Sequence, residues 1–504
     1  MNRKLLVGLL LIAIGCTCAI AAAADDPQTA AGERKPEMSG EATLLPLDPN
    51  FASLFGPQPT KFNDVPYDAA EQLKIYGSKH LNPTKHPIVD VGLKLYERGS
   101  YDPRPTWLGA KDPIMSAFMA YGDVRVAAAS YDNGGGDKQV IAARLNLDMD
   151  LALTATERLH AFVRPLDKGG SFTRYQFGGS GAQDKFVHEF NFDLKTLFFE
   201  GDIGAIRQGW SGKTNRYDVP FAIGRVPLFT QNGIWIDDAF DGAAVSVISA
   251  KNSPTLDISN MDLTLFAGFN DVTSPAIPAT TKANVFGMAG FADLLEGYAE
   301  WGYGYVDNDN NDLSYHNLTA AFTKRYKGRV SNSVRLIGNV GQKGILGQAK
   351  TADGLLILVE NSFIRREFLA PTFWVPYANF FAGFNSPQSL ARAADAGGVL
   401  KNTGINFETD GLTNYPTLDA TAHDSYGAAF GVEKLFQKLD GQIVVEGAIV
   451  ERRGDNTQGN QYALGARYQH RISNAWIVRL DAMKGWRQGL KDVYGARVEI
   501  RRKF

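Results

Sequence analysis

Three arginines, Arg467, Arg479 and Arg497, recur toward the end of this 504-residue sequence, each at an alternate position within an apolar run. Four carboxylates, Asp148, Asp150, Glu296 and Glu300, sit in the same manner in earlier runs. On an extended strand, alternate side chains point to one face. Two such sets on facing walls of a cavity would create a transverse field that orients polar or anionic solutes. Arg125, Arg144, Arg335, Asp481 and Glu499 follow the same alternation, as does Arg325, and together these residues form the candidate pore lining. The plainer alternative is that they solvate a wall and pair with one another across strands.

Catalytic patterns are absent from the sequence. The seven histidines, at 80, 86, 160, 188, 316, 423 and 470, show no HExxH or other ligand spacing. His160, with Arg158 and Arg164, is read as wall. No glycine-rich loop follows a strand and opens a helix, and Asn133 before Gly134, Gly135 and Gly136 reads as a hairpin loop. The expectation is therefore a protein that is not an enzyme and has no catalytic residues, metal or cofactor.

The elements that must carry these charges are strands. In Lys138 to Leu153, Ile141, Ala143, Leu145, Leu147, Met149 and Leu151 share one face, while Arg144, Asn146, Asp148 and Asp150 share the other. A helix would scatter those charges around its circumference. The pattern recurs at Asp262 to Asn270, Leu295 to Tyr305, Gln461 to Ile472 and Ala475 to Trp486. Such runs approach a dozen residues, longer than the roughly five or six usual in soluble sheets and suited to tilted membrane strands of about 9–11 residues.

Composition agrees with this. Lys and Arg number 52 against 54 Asp and Glu, so no clustered basic excess supports a nucleic-acid partner. Fifty-two glycines and 11% aromatic residues lean toward a large all-β protein. No mature segment offers 18 consecutive apolar residues, as a membrane helix requires. Arg3 and Lys4, the apolar run from Leu5 to Ile14, and Ala22 to Ala24 have the form of a secretory signal peptide covering residues 1–24. Cleavage there removes Cys16 and Cys18. A competing cut at Ala13 to Cys16 resembles a lipoprotein lipobox and would make Cys16 a lipidation site. Residues 25–115 read as linker and a periplasmic or plug segment, with a short helix at Asp68 to Gly77 and Ile88 to Gly99 ambiguous between strand and helix. Residues 116–504 read as the barrel.

The last strand places Tyr494, Ala496, Val498, Ile500 and Phe504 in phase, opposite Gly495, Arg497, Glu499, Arg501 and Lys503. A chain closing on such an aromatic residue resembles the C-terminal signature of bacterial outer-membrane barrels, which implies recognition of Phe504 by barrel-assembly machinery. Counting backwards from a periplasmic Phe504, with short turns inside and long loops outside, gives about 18 strands, in the range 16–18. Arg207 to Val219 falls on the periplasmic side yet is too long for a tight turn. The stretch Asn385 to His423 falls outside and is expected to contain a helix, with Ser386 as N-cap, Pro387 in the first turn and Gly397 as terminator.

The segment from Gly224 to Val247, GRVPLFTQNGIWIDDAFDGAAVSV, resembles the barrel portion of porins and alginate-export-type channels, in which a Gly-Arg strand and an Asp-Gly strand flank an outer loop. The fold expected is an all-β, transmembrane, antiparallel up-and-down barrel with a short N-terminal extension in the outer membrane of a Gram-negative bacterium. The function expected is a porin-like channel for passive diffusion of small hydrophilic or anionic solutes. Its partners would be those solutes and outer-membrane lipid, with a homo-oligomer as an open alternative and no nucleic acid. The alternatives are a plugged structural or assembly barrel for a partner protein, its lumen filled by residues 25–115 or 386–420, and a polysaccharide exporter.

Overall fold

The computed structural model describes residues 116–504 with short internal breaks, together with 87–91, 105–106 and 109–110. The signal segment, Cys16, the helix at 68–77 and most of the 25–115 segment lie outside the described residues. Within that segment, Val89–Val91 is a strand paired with Phe118, Met119 and Ala120.

Eighteen antiparallel strands close into a barrel. The first four are β1 (Ala117–Asp132), β2 (Asp137–Ala152), β3 (Arg158–Val163, rejoined at Ser171–Phe177) and β4 (Lys185–Val187, resumed at Leu194–Asp202). Next come β5 (Pro220–Thr230), β6 (Ile236–Ser249), β7 (Asn260–Phe269), β8 (Ala283–Leu294) and β9 (Gly297–Asn308). They are followed by β10 (Tyr315–Tyr326), β11 (Val330–Val340), β12 (Asp353–Phe363) and β13 (Phe373–Ser386). The last five are β14 (Ser425–Leu435), β15 (Gly441–Arg452), β16 (Gln461–Arg471), β17 (Trp476–Arg487) and β18 (Val493–Lys503). Pairing of β18 with β1, from Tyr494 opposite Asp132 to Lys503 opposite Asp123, closes the wall. Beyond it, Phe504 and Gly122 exchange two backbone hydrogen bonds of 2.9 and 3.0 Å.

Some turns follow the length rule that the sequence implied, but the connections after Ser249 and Phe363, at the short-turn end, are longer than the hairpin loop after Asp132 at the other. Leu295 and Glu296 make a two-residue turn with φ of 54° and 58°, the left-handed geometry of a tight hairpin. At the other end, Gly134 and Gly136 take φ of 92° and 101°, and their N–H groups donate to the Asp132 carboxylate. The overlong connection after β4 is explained by a helix, α1 (Ile203–Ser211). Asp202 caps it by accepting from the Ala205 N–H, and Gly212 ends it with φ of 64°.

The two faces of the wall have different chemistry. Leu318, Leu336, Phe380, Phe430, Val445 and Leu464 project outward and are exposed. Every backbone donor and acceptor within a closed antiparallel ladder is paired, so such a wall tolerates hydrocarbon on its outside. Arg502, the one cation out of phase in the last strand, lies over the Trp476 ring at 5.5 Å.

Two segments enter the lumen from the long-loop end. One is the β5–β6 hairpin, whose tip carries Trp235 against the inner face of β9, where a Cβ on Gly302 would lie 2.3 Å from the indole. The other is the stretch 387–424 between β13 and β14. Its Leu400, Phe407 and Leu418 pack with Ile337, Leu356 and Leu358 of the wall, forming an apolar core inside the barrel. The helix expected between Ser386 and Gly397 is absent among the described residues. Ala391–Arg392 instead forms a short parallel pairing with Ile236 and Asp237 of β6. Arg392 donates to the carbonyls of Gly233, Ile234, Ala396 and Gly397, so tertiary bonds replace the helical ladder that the local cap signals favoured.

Candidate functional site

Most of the charged residues expected to line a pore pair with near neighbours. Arg125 donates to Asp123 at 2.8 Å. Arg144 lies over the Phe172 ring and 3.9 Å from Asp395. Asp150 stands 3.4 Å from His160 and 3.9 Å from Arg158. Asp148 occupies the same inward face of β2. Arg335, fully buried, bonds Glu360 at 2.9 Å and reaches Glu300 at 4.0 Å. Glu296 occupies the β8–β9 turn instead of the wall and pairs with Lys324 at 3.0 Å.

The arginine ladder exists as a spatial cluster, with a different counter-charge from the one expected. Asp481 on β17 accepts from Arg467 at 2.7 Å, from Arg479 at 2.9 Å and from Arg497 at 2.7 Å. Glu408 of the inserted segment bonds Arg467 at 2.5 Å and lies 3.4 Å from Arg479. Glu499 stands 3.7 Å from Arg497. The void enclosed by this cluster is about 10 Å³, room for a single water. Asp148, Asp150 and Glu300 are therefore not the acids that these guanidiniums meet.

The open volume lies elsewhere. A cavity of about 920 Å³ runs beneath the hairpin tip along β4 to β9. Glu200, Asp262, Glu300, Gln231, Phe221 and Phe291 are among its lining residues. Strand parity was enough to place Asp262 and Glu300 on the inner face. Gln231 sits in the hairpin tip, where no periodicity announces a role. Its φ of 51°, next to Asn232 at 56°, is an uncommon backbone state for residues other than glycine.

Other anchors were missed at the sequence level. Glu446 on β15 faces inward between Val444 and Ala448, an alternation that was readable. It accepts from the backbone N–H groups of Ile405 and Asn406 at 2.8 and 2.9 Å. Asp395, by contrast, sits in the irregular insert, where only the fold reveals that Arg164 bonds it. Burial opposes ionisation of Asp395, but the hydrogen bond and charge of Arg164, with Arg144 behind, hold its carboxyl below the ordinary carboxylate range. Burial also lowers the Arg392 guanidinium to about 10, with Asp237 opposing the shift.

The sign of the Asp395 shift sets an expected pH response. A depressed carboxyl pKa contributes stability that is fully present above the unfolded value, roughly 3.9, and is lost as pH falls through the folded value. Limited proteolysis of the insert should thus be equally slow at neutral and mildly acidic pH and accelerate only in stronger acid. Asp395→Asn should be cut faster already at neutral pH; equal rates for the two proteins would remove the anchor role.

A closed wall with an apolar outside and a polar inside is the form in which strands can cross a bilayer. The chain is a closed antiparallel β-barrel of 18 strands. No protein-family model matches this barrel, and no curated protein matches it. Among solved structures, it is similar to Pseudomonas aeruginosa OccK5 (OpdH), with 10% identity over 77% of this chain and 98% of that one and a TM-score of 0.47. Pseudomonas aeruginosa OpdQ has 8% identity, coverages of 77% and 97% and a TM-score of 0.49. Wzi, an outer-membrane protein involved in group 1 capsule assembly in Escherichia coli, has 12% identity, coverages of 76% and 85% and a TM-score of 0.42.

Proposed function

We propose that the barrel is an outer-membrane channel through which small hydrophilic solutes diffuse passively, restricted by the inserted β5–β6 hairpin and the 387–424 segment. The observation that carries this reading is the cavity of about 920 Å³ beneath the hairpin tip. Eighteen strands enclose an interior wide enough for water, and the inserts leave an off-centre cavity in it. The ladder of Arg467, Arg479 and Arg497 is held by Asp481 and Glu408, so an anionic preference draws no support from it. Assembly in the outer membrane through the strand ending at Phe504 belongs to the same proposal.

The apolar packing of Leu400, Phe407 and Leu418 inside the barrel favours a second reading, a plugged structural barrel. Purified protein in a planar bilayer separates the two. The channel reading expects small, ohmic conductance that rises with salt concentration and rises several-fold when residues 387–424 are replaced by a short linker. A closed trace from the intact protein, with conductance only after that replacement, would favour the plug.

A further inference from the structure

We infer that the cavity beneath the hairpin tip is a subsite for organic cations that carry an aromatic body and a hydrogen-bond acceptor, which deepens the channel reading and rests on it. Glu200, Asp262 and Glu300 line the cavity, and no Lys, Arg or His is among its described lining residues. A fourth carboxylate, Asp202, is occupied in capping α1. Neighbours outside the lining offset two of the three: His160 lies 3.0 Å from Glu200, and Arg335 lies 4.0 Å from Glu300 while bonding Glu360 more closely. The Asp262 side chain has no ion-pair or hydrogen-bond partner among the described residues, and it lines the cavity with Thr264 of the same strand. A negative potential therefore remains where the lumen is open, the arrangement that favours cations in a pore.

A second observation is independent of the acids. Gln231 is 4% exposed, and its side-chain nitrogen has no hydrogen-bond partner among the described residues. The orientation of the amide is fixed, because its oxygen accepts from Arg335 Nε at 3.1 Å and from the Thr319 hydroxyl at 2.8 Å, and a guanidinium can only donate. The free N–H₂ thus belongs to a residue of the cavity lining, and a buried donor without an acceptor is costly unless something supplies one. Phe221, Phe266 and Phe291 add apolar walls, whose ring faces also attract cations. An ammonium facing Asp262, a ring between the phenyl groups and an oxygen accepting from Gln231 would satisfy all three features.

The test uses the full-length protein and two probes of the same shape, tyramine and its carboxylate counterpart para-hydroxyphenylacetate. Under a KCl gradient in a planar bilayer, the wild type should give a reversal potential of cation sign. Asp262→Asn, with Glu200→Gln as a second variant should the first not fold, should lower the cation-to-anion permeability ratio several-fold. Calorimetry in detergent should show tyramine binding several-fold tighter than the carboxylate, with that difference lost in the variant. Conductance with no cation preference and no preference for tyramine overturns the inference and leaves the channel standing. No conductance, but tyramine binding that depends on Asp262, keeps the subsite and removes the channel. Neither conductance nor tyramine binding overturns both.

Discussion

Replacing Glu446 by alanine is expected to free the tip of the 387–424 segment and raise the unit conductance of the barrel several-fold. The carboxylate receives the N–H groups of Ile405 and Asn406, the Asn406 side-chain amide at 2.8 Å and the Tyr377 hydroxyl. Hydrogen bonds to a charged group contribute about 1.5–3 kcal/mol each, and a buried donor left unmatched costs about 1–3 kcal/mol. Glu446 is 1% exposed, so water cannot easily replace it. The approach is also close: a Cβ on Gly404 would fall 2.1 Å from a Glu446 carboxylate oxygen, so any larger residue there would push the carboxylate from its donors.

Glu446→Gln should give an intermediate result, because an amide offers one acceptor oxygen and turns a donor toward the Ile405 or Asn406 N–H. Single-channel recording and proteolysis of the insert read the two consequences separately. Unchanged conductance together with unchanged cleavage would mean that Arg392 and the apolar core hold the segment without Glu446.

The wall was legible because a strand leaves a period of two in the sequence. In β2, Arg144, Asn146, Asp148 and Asp150 lie inward as the alternation required, and in β16 to β18 the inward set includes Arg467, Arg479, Asp481, Arg497 and Glu499. What entered the lumen was not legible. Leu390, Leu400, Phe407 and Leu418 are buried, yet their spacing follows no strand or helix period, because irregular backbone is shaped by the surfaces it meets. The same cause defeated the helix expected after Ser386: cap residues report local preference, while Arg392 found carbonyl partners from Gly233 onward, far away in sequence. The ladder's counter-charge was half visible. Asp481 shares the inward face of β17 with Arg479, two residues away, but Glu408 arrives from the insert. Glu296 was misplaced because alternation continues on paper through a two-residue turn.

The Asp481 cluster should behave as a buried ionic network whose members cannot be removed singly. Asp481→Asn is expected to lower the temperature at which the folded barrel unfolds, assayed by its heat-dependent shift in gel mobility, more than any single substitution on the outer face. The carboxylate is shared by three guanidiniums, and the Arg497 side chain is 1% exposed. Breaking one partner out of a buried pair typically costs about 3–5 kcal/mol, mainly because the remaining charge stays desolvated and unmatched. The decisive comparison is Asp481→Asn combined with Arg497→Met. If the cost comes from the stranded guanidinium, removing that charge as well should restore part of the lost stability, so the double variant unfolds at a higher temperature than Asp481→Asn alone. Additive losses would instead mean that Glu408 and Glu499 already neutralise the arginines and that Asp481 contributes only hydrogen bonds of ordinary strength. Because the enclosed void admits no more than a single water, neither substitution should abolish the cation preference expected of the larger cavity. Stability and selectivity would then be set by different sectors of one wall, the first beneath the 387–424 segment and the second beneath the β5–β6 hairpin.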